Sequence, residues 1–276
     1  MTEVVPENER ISSSKVRECL HTRILGRSIL YFRTLTSTND FAKLLAARNV
    51  KEGTVVVAET QSSGKGRLGR EWVSPGGGLW SSTILRPLMQ PKDAAKLTLL
   101  GSVAVAKTVN KLYELKAEIK WPNDILINQR KLCGILTEGE IRGEKLRFAV
   151  LGFGVNANFS LEALPKHLRE SATTLEEQLG KKISREILLC SLMQNVEAYY
   201  DMLSNGKFET ILNDWRKLSG FLGSYVKIVS CREKIEGWAV DLDDDGALIV
   251  RLKDQTTHRV LSGEVARIVQ VKRPAR

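Results

Sequence analysis

The stretch Gln61-Ser-Ser-Gly-Lys-Gly-Arg-Leu-Gly-Arg-Glu-Trp72, followed by Val73-Ser-Pro-Gly-Gly-Gly78, narrows the choice of folds more than any other part of this chain. It contains Gly64-x-Gly66-x-x-Gly69 soon after the β-branched run Thr54-Val-Val-Val-Ala-Glu59, which reads as a buried strand. A strand leading into these glycines suggests the dinucleotide-binding fingerprint, but that fingerprint needs a helix straight after them. Pro75 and the glycines behind it exclude such a helix. A phosphate-binding Walker loop is excluded too, because no Gly-Lys is followed by Ser or Thr; a kinase is excluded because neither His-Arg-Asp nor Asp-Phe-Gly occurs. What remains is a long irregular loop whose backbone N–H groups can approach an anion. Lys65, Arg67 and Arg70 can neutralise that anion, and Trp72 offers a flat face to a ligand. Read alone, the loop is equally a solvated basic surface segment.

Three further segments carry polar groups at strand or helix ends. Ser37-Thr38-Asn39-Asp40 precedes Phe41, Leu44 and Leu45, a capping hydroxyl before a helical apolar stripe. Lys120-Trp-Pro-Asn123-Asp124 runs into Ile125-Leu-Ile127, and Arg130-Lys131-Leu-Cys-Gly134 follows, so a hairpin is expected around Asn128-Gln129-Arg130. Asp124 is suited to helping hold Mg²⁺ on a phosphate, and Gly134 allows close approach to the backbone. Gly152-Phe-Gly154-Val-Asn156 places glycines inside a strand, which marks either a ligand's close approach or a bulge.

The remaining pattern is ordinary for a globular chain of 276 residues with 42% hydrophobic residues. Helices are expected over 94–112, after a Thr173/Glu176 capping box ending at Gly180, and after Ser184. Beyond Gly220 come short strands at 225–230, 235–242, 247–252 and 258–261, the spacing of a small all-β barrel. Asp241-x-Asp243-x-Asp245-Gly246 begins like a calcium loop, but Leu252 stands at its twelfth position, so a hairpin turn is expected. Cys19, Cys133, Cys190 and Cys231 are widely spaced and read as core residues or free thiols of a reducing compartment. The start of the chain has no secretory signal pattern and no apolar run long enough to span a bilayer, which favours the cytoplasm. The net charge of +10 favours anionic partners without choosing among them.

Taken in order, Ser37-Thr-Asn39, Gln61-x-x-Gly-x-Gly-Arg-x-Gly-Arg70, Trp72-x-Ser-Pro75, Lys120-Trp-Pro-Asn-Asp124, Arg130-Lys-Leu-x-Gly-Ile-Leu136 and Gly152-x-Gly-Val-Asn156 resemble the biotin protein ligases. The resemblance covers most of residues 35–160, and the barrel from about Phe221 looks like the family's SH3-like domain. It implies an α+β fold: a mixed β-sheet with packed helices, like a class II synthetase, plus a small C-terminal SH3-like β-barrel. The implied division is an N-terminal segment 1–24, a biotin/ATP-binding domain 25–218 and a C-terminal domain 219–276. Residues 1–36 leave little room for a DNA-binding module, so the monofunctional type is expected, with no specific DNA partner and no membrane.

The resemblance also implies the activity: biotin and ATP give biotinyl-5′-AMP, and a lysine of a biotin carboxyl carrier protein takes the biotin. The family includes monomers and edge-strand homodimers. Residue by residue, Ser37, Thr38, Asn39 and Gln61 match the groups that bond biotin's ureido ring, and Gly64, Lys65 and Arg67 match the loop that orders over it. Lys131 matches the lysine between carboxylate and phosphate, and Gly134 and Gly152 match backbone contacts to biotin. Arg67, Arg70, Trp72, Asn123, Asp124, Lys131 and Asn156 match the adenylate site. Lys131, Arg67, Lys65 and Asp124 are the implied catalytic set, with Asp124 the Mg²⁺ ligand. Lys65 departs from the arginine common at its position and loses the planar fork. The alternatives weighed are a lipoate or octanoate ligase or transferase on the same scaffold, and a biotin-sensing regulator.

Overall fold

β-branched and aromatic runs set the main sheet of the computed structural model, which describes residues 11–230 and 234–269. Cys231 and the expected turn at Arg232-Glu233 lie outside the described residues. Seven strands form the sheet: β1 (Ile29–Leu35), β2 (Val55–Gln61), β3 (Leu79–Leu85), β4 (Ala117–Lys120), β5 (Asp124–Ile127), β6 (Arg130–Arg142) and β7 (Lys145–Val155). Their order is β1-β2-β3-β7-β6-β5-β4, with β1 parallel to β2 and the other pairs antiparallel. The mixed sheet is therefore as expected. β1 is an edge strand of mostly half-buried residues, so its alternation is weak and the sequence did not announce it.

Helices cover both faces. They are α1 (Ser13–Cys19), α2 (Thr38–Ala47), α3 (Ala95–Tyr113), the short α4 (Lys166–Arg169) and α5 (Leu175–Leu179), α6 (Arg185–Ser204) and α7 (Phe208–Leu218). α2 buries Ala42 and Ala46 against Val56, Ile84, Phe148 and Val150 on one face. α3 and α6 bury Leu97, Leu100, Val103, Leu189, Met193 and Val196 in the larger core on the other. Ser37 caps α2 and Ser184 caps α6, as their positions predict. The cap of α5 is Thr174, one residue beyond the expected Thr173; its hydroxyl accepts from Glu177 N, while Thr173 Oγ1 donates to the Glu177 carboxylate.

Five more strands, β8 (Tyr225–Val229), β9 (Lys234–Leu242), β10 (Leu248–Arg251), β11 (Thr257–Val260) and β12 (Glu264–Val269), pair antiparallel in the order β11-β10-β9-β8-β12. This sheet shares the larger core, with Phe221 edge-on to Trp215 of α7 at 6.0 Å. Trp121 also donates to Gly246 O across the junction at 3.3 Å. The acidic stretch at 241–246 is a hairpin turn, as expected: Asp243 accepts from the N–H groups of Asp245 and Ala247, and Arg259 pairs with both Asp243 and Asp245. Among the described residues no helix is long and apolar enough to cross a membrane.

The expectation of unpaired thiols fails at two positions. α1 lies on α6, bringing Cys19 and Cys190 to a Cα separation of 6.0 Å, and they form a disulfide. Sequence spacing cannot show a contact between residues so far apart. Cys133 stays a buried free thiol whose pKa burial pushes up.

Two buried carboxylates hold the frame together. Glu59 on β2 takes a two-pronged contact from Arg185 at 2.8 and 3.0 Å and also accepts from Gly77 N and Tyr31 Oη. Glu197 on α6 accepts from Arg23 N, Ile24 N and Leu25 N at 2.7, 2.7 and 2.9 Å. Burial alone would raise the Glu197 pKa, but these N–H bonds and the Arg23 charge outweigh it and lower it. A lowered folded pKa gives stability that is present above the ordinary glutamate value and lost as pH falls through the folded one. Glu197→Ala should therefore cost about 2–3 kcal/mol in urea unfolding at pH 7. That gap should shrink below about pH 4; a gap independent of pH would contradict the charge-based account.

Candidate active site

The floor of the site is a patch of sheet in which three of four facing positions are glycine. β6 and β7 pair so that Gly134 faces Gly154 and Leu136 faces Gly152. A Cβ on Gly134 would stand 2.9 Å from the Trp72 ring, one on Gly154 2.5 Å from Trp72 Nε1, and one on Gly152 2.1 Å from Asn39 Oδ1. The glycines are therefore required by what lies on them, and the bulge reading of Gly152–Gly154 gives way to close approach. The Trp72 indole rests on Gly134 and Gly154, meets Trp80 edge-on at 6.4 Å and has the Lys131 ammonium 5.0 Å from its ring centre.

One end of the site is polar and neutral. Ser37, Thr38 and Asn39 are buried at the start of α2. Gln61 Oε1 accepts from Thr38 N at 2.7 Å and from Thr38 Oγ1 at 3.0 Å, while Gln61 Nε2 donates to Ser74 Oγ. Ser82 Oγ donates to Asn39 Oδ1 at 2.6 Å and lies 2.8 Å from Thr38 Oγ1. Sequence reasoning gave no role to Ser82, which lies in a strand buried on both faces with no alternation to mark it, nor to Ser74, although Ser74 stands in the Trp72-x-Ser-Pro75 motif.

The other end is charged. Lys131 Nζ lies 2.7 Å from Asp124 Oδ1, an oxygen that is buried with no hydrogen bond of good geometry. Asn123 Nδ2 donates to Ile135 O and Ile135 N donates to Asn123 O, which fixes the turn carrying Asp124. Arg67 donates to Asn123 Oδ1 at 3.3 Å and to Gly263 O at 3.1 Å, and burial lowers its pKa despite Asp124 and Glu264 nearby. Gly263 and Glu264 come from the C-terminal sheet, a contribution no local motif announced.

The glycine loop closes over both ends as a narrow hairpin. Trp72 N donates to Gly64 O, Gly66 N donates to Arg70 O, the backbones of Lys65 and Glu71 form an antiparallel bridge, and Arg67–Gly69 make a 3-10 turn. Arg70 forms an ion pair with Glu264. Lys65 reaches Asp40 at 2.6 Å rather than the charged end. The cleft beneath the loop is about 120 Å³. Ligand sites commonly measure ~300–1,000 Å³, so the loop in this position leaves little room for a ligand.

Most residues singled out in the sequence line this cavity: Ser37, Thr38, Asn39, Gln61, Lys65, Arg67, Arg70, Trp72, Asn123, Asp124, Lys131, Gly134 and Gly152. Two stand behind it. Gly64 is buried at the root of the loop, where a Cβ would strike Trp72 O at 2.3 Å. Asn156 is buried, and its Nδ2 donates to Lys131 O and Thr173 O, tying the start of β6 to the segment before α5.

A closable loop over a glycine floor, between a neutral polar end and a cationic end, defines a site for an elongated ligand with one uncharged polar head and one anionic tail. The sequence model of the biotin/lipoate A/B protein ligase family matches residues 31–156, and that of the biotin protein ligase C-terminal domain matches residues 221–267. The chain is 36% identical over 251 residues to the bifunctional ligase/repressor BirA of Bacillus subtilis, covering 89% of this chain and 76% of that protein. It is 29% identical to the biotin–[acetyl-CoA-carboxylase] ligase of Paracoccus denitrificans, covering 78% and 91%. The biotin protein ligase of Aquifex aeolicus, solved with biotin and ATP, superposes with a TM-score of 0.73 at 29% identity, covering 86% of this chain and 97% of that one. The chain belongs to the biotin protein ligases, within the biotin/lipoate A/B protein ligase family.

If the floor must stay bare, Gly154→Ala should displace the Trp72 indole. The near-UV circular dichroism that Trp72→Phe removes should then be lost, with the far-UV spectrum unchanged. An unaltered near-UV spectrum would show that the floor tolerates a side chain.

Proposed function

We propose that this cavity joins biotin to ATP as biotinyl-5′-AMP and then passes the biotin to a lysine of a biotin carboxyl carrier protein. The observation that carries the reading is the polarity of the cavity. Biotin has a neutral ureido ring at one end and a carboxylate at the other, and the site has neutral hydrogen-bonding groups at one end and cations at the other. Thr38, Asn39 and Gln61 would satisfy the buried ureido group, a burial that costs about 1–3 kcal/mol per unpaired polar group. A carboxylate is already a nucleophile, so no activating base is needed in the first step. A biotin carboxylate oxygen attacks the α-phosphorus of ATP and pyrophosphate leaves. The neutral amine of the acceptor lysine then attacks the anhydride carbonyl, and AMP leaves with the bond electrons.

The first barrier lies in bringing two anions together and in charge growing on the phosphorus centre. Lys131 would bridge carboxylate and phosphate, and Arg67 would hold the adenylate beneath the loop. Asn123 and Arg70 line the same end, and Trp72 offers its ring to the adenine. Asn156 would act through the strand start that it fixes. Mg²⁺ fits as an ion that arrives on the nucleotide. Asp124 offers one carboxylate, among the described residues no three acidic, His or Cys groups cluster as a metal cage, and such ions take few protein ligands plus phosphates. Bound there, it would offset phosphate charge. The ATP requirement argues for the cytoplasm, and an acidic acceptor plus ATP account for the +10 charge without DNA. We take residues 25–218 as the biotin/ATP domain and 219–276 as an SH3-like domain that supplies Gly263 and Glu264.

ATP–pyrophosphate exchange should appear with biotin and not with lipoate or octanoate; exchange only with one of the latter would overturn the choice of acid. Lys131→Ala should lower exchange by about two to three powers of ten, the scale for losing one charge-stabilising group. Biotin binding by calorimetry should weaken far less, and a reversed ranking would remove Lys131 from the bridging role. Arg67→Gly should release biotinyl-5′-AMP and label bystander proteins, whereas labelling confined to the carrier would contradict the retention role.

A further inference from the structure

Lys65 is the one cation of the loop hairpin that turns away from the charged end of the cavity, toward α2. Its Nζ is 2.6 Å from Asp40 Oδ2, and Asp40 Oδ1 is 3.0 Å from Lys43 Nζ. Lys43 in turn lies 2.5 Å from Glu138 Oε1, and Glu138 Oε2 accepts from Asn39 Nδ2 at 2.9 Å. An unbroken line of charge-assisted contacts thus runs from the root of the loop to the amide at the neutral end of the cavity. Burial would raise the Asp40 pKa, but the hydrogen bonds and charges of Lys65 and Lys43 outweigh it and lower it, so Asp40 is ionised at neutral pH.

The loop's tip is tied separately, by Arg67 to Asn123 and Gly263 and by Arg70 to Glu264. Root and tip are therefore held by different parts of the chain.

We propose that Asp40 is a positioning residue for the loop: by holding Lys65 at the loop's root it docks the closed hairpin over the cavity. The docking itself is independent of what the loop encloses; its effect on adenylate retention rests on the ligase reading above. Lys65 and Asp40 side chains are 46% and 35% exposed, so the pair is a modest, salt-screened one. A modest, reversible tie suits a loop that must open for entry and close for chemistry.

The test is cleavage of the ligand-free protein after Arg67 and Arg70 by an arginine-specific protease. Asp40→Asn should speed cleavage about three- to fivefold, and raising the salt should speed it in the unaltered protein. Lys43→Met, which leaves the Asp40–Lys65 contact in place, should not. The reversed pair Asp40→Lys with Lys65→Asp should restore protection to within about twofold, a rescue that mere weakening of α2 would not give. In the complete reaction, Asp40→Asn should raise the KM for biotin and the escape rate of biotinyl-5′-AMP by a similar factor, and more than it lowers kcat. Unchanged cleavage in Asp40→Asn, or no rescue by the reversed pair, would overturn the proposal. Should Asp40→Asn lower the melting temperature, the salt dependence of Glu264→Gln, which lacks the Arg70 tie, decides: no acceleration with salt in that variant overturns it. Absence of biotin-dependent exchange alongside the expected cleavage pattern would instead discard the ligase reading and keep the docking.

Discussion

Everything at the site depends on a strip of sheet where three of four facing positions carry no side chain. Gly134 and Gly154 sit opposite each other on neighbouring strands, and Gly152 lies two residues along, so an indole and a carboxamide rest directly on backbone. A glycine in a strand interior gives up packing and costs conformational entropy. Here that cost is met by a thick core on the far side of the sheet, where α3 and α6 bury Leu100, Val103, Leu189 and Met193. The same trade explains the buried Glu59–Arg185 pair. It is no source of net stability in itself, but losing one partner would strand a charge beside β2 and Gly77–Gly78, where the loop's flanks are anchored.

On that floor the charges are sorted by position rather than number. The neutral end is made from the capped start of α2 and the end of β2, and its groups already bond one another through Gln61 and Ser82. The cationic end is made from a tight turn and a hairpin start that a pair of Asn123–Ile135 bonds holds still. The hairpin loop spans the two, and its tip meets the C-terminal sheet. The second sheet thus enters the site by packing on α7 and α3, not by any sequence signal near the motifs.

Local signals were legible where one residue type has one use. The glycines, the capping serines at 37 and 184, the strand core at 55–59 and the strand through Gly152 and Gly154 read directly from sequence. So did the membership of the cavity, because most of its residues sit in short ordered motifs. What depends on distant parts of the chain did not read. The Cys19–Cys190 disulfide, the Arg185 partner of Glu59, the Glu264 partner of Arg70 and the Asp40 partner of Lys65 all join segments whose separation carries no information about contact. Asn156 shows the same limit: its motif was plain, but its bonds turn it toward the strand start instead of the cavity. The edge strand β1 was missed for a different reason, since half-burial blurs the periodicity on which such readings depend. In α7, by contrast, Phe208, Ile211, Leu212 and Trp215 recur at clear helical spacing, a local signal that was there to be read.

The proposed activity requires the closed loop to keep an activated acid in the cavity until an acceptor arrives. The most direct measurement gives the protein biotin, Mg²⁺ and ATP labelled on the α-phosphate, without a carrier protein, and counts the label that stays with the protein through rapid gel filtration. The account predicts close to one labelled, acid-labile biotinyl-5′-AMP per chain, released as AMP when an acceptor lysine is added. Free labelled adenylate in the filtrate, or label that remains ATP, would contradict it.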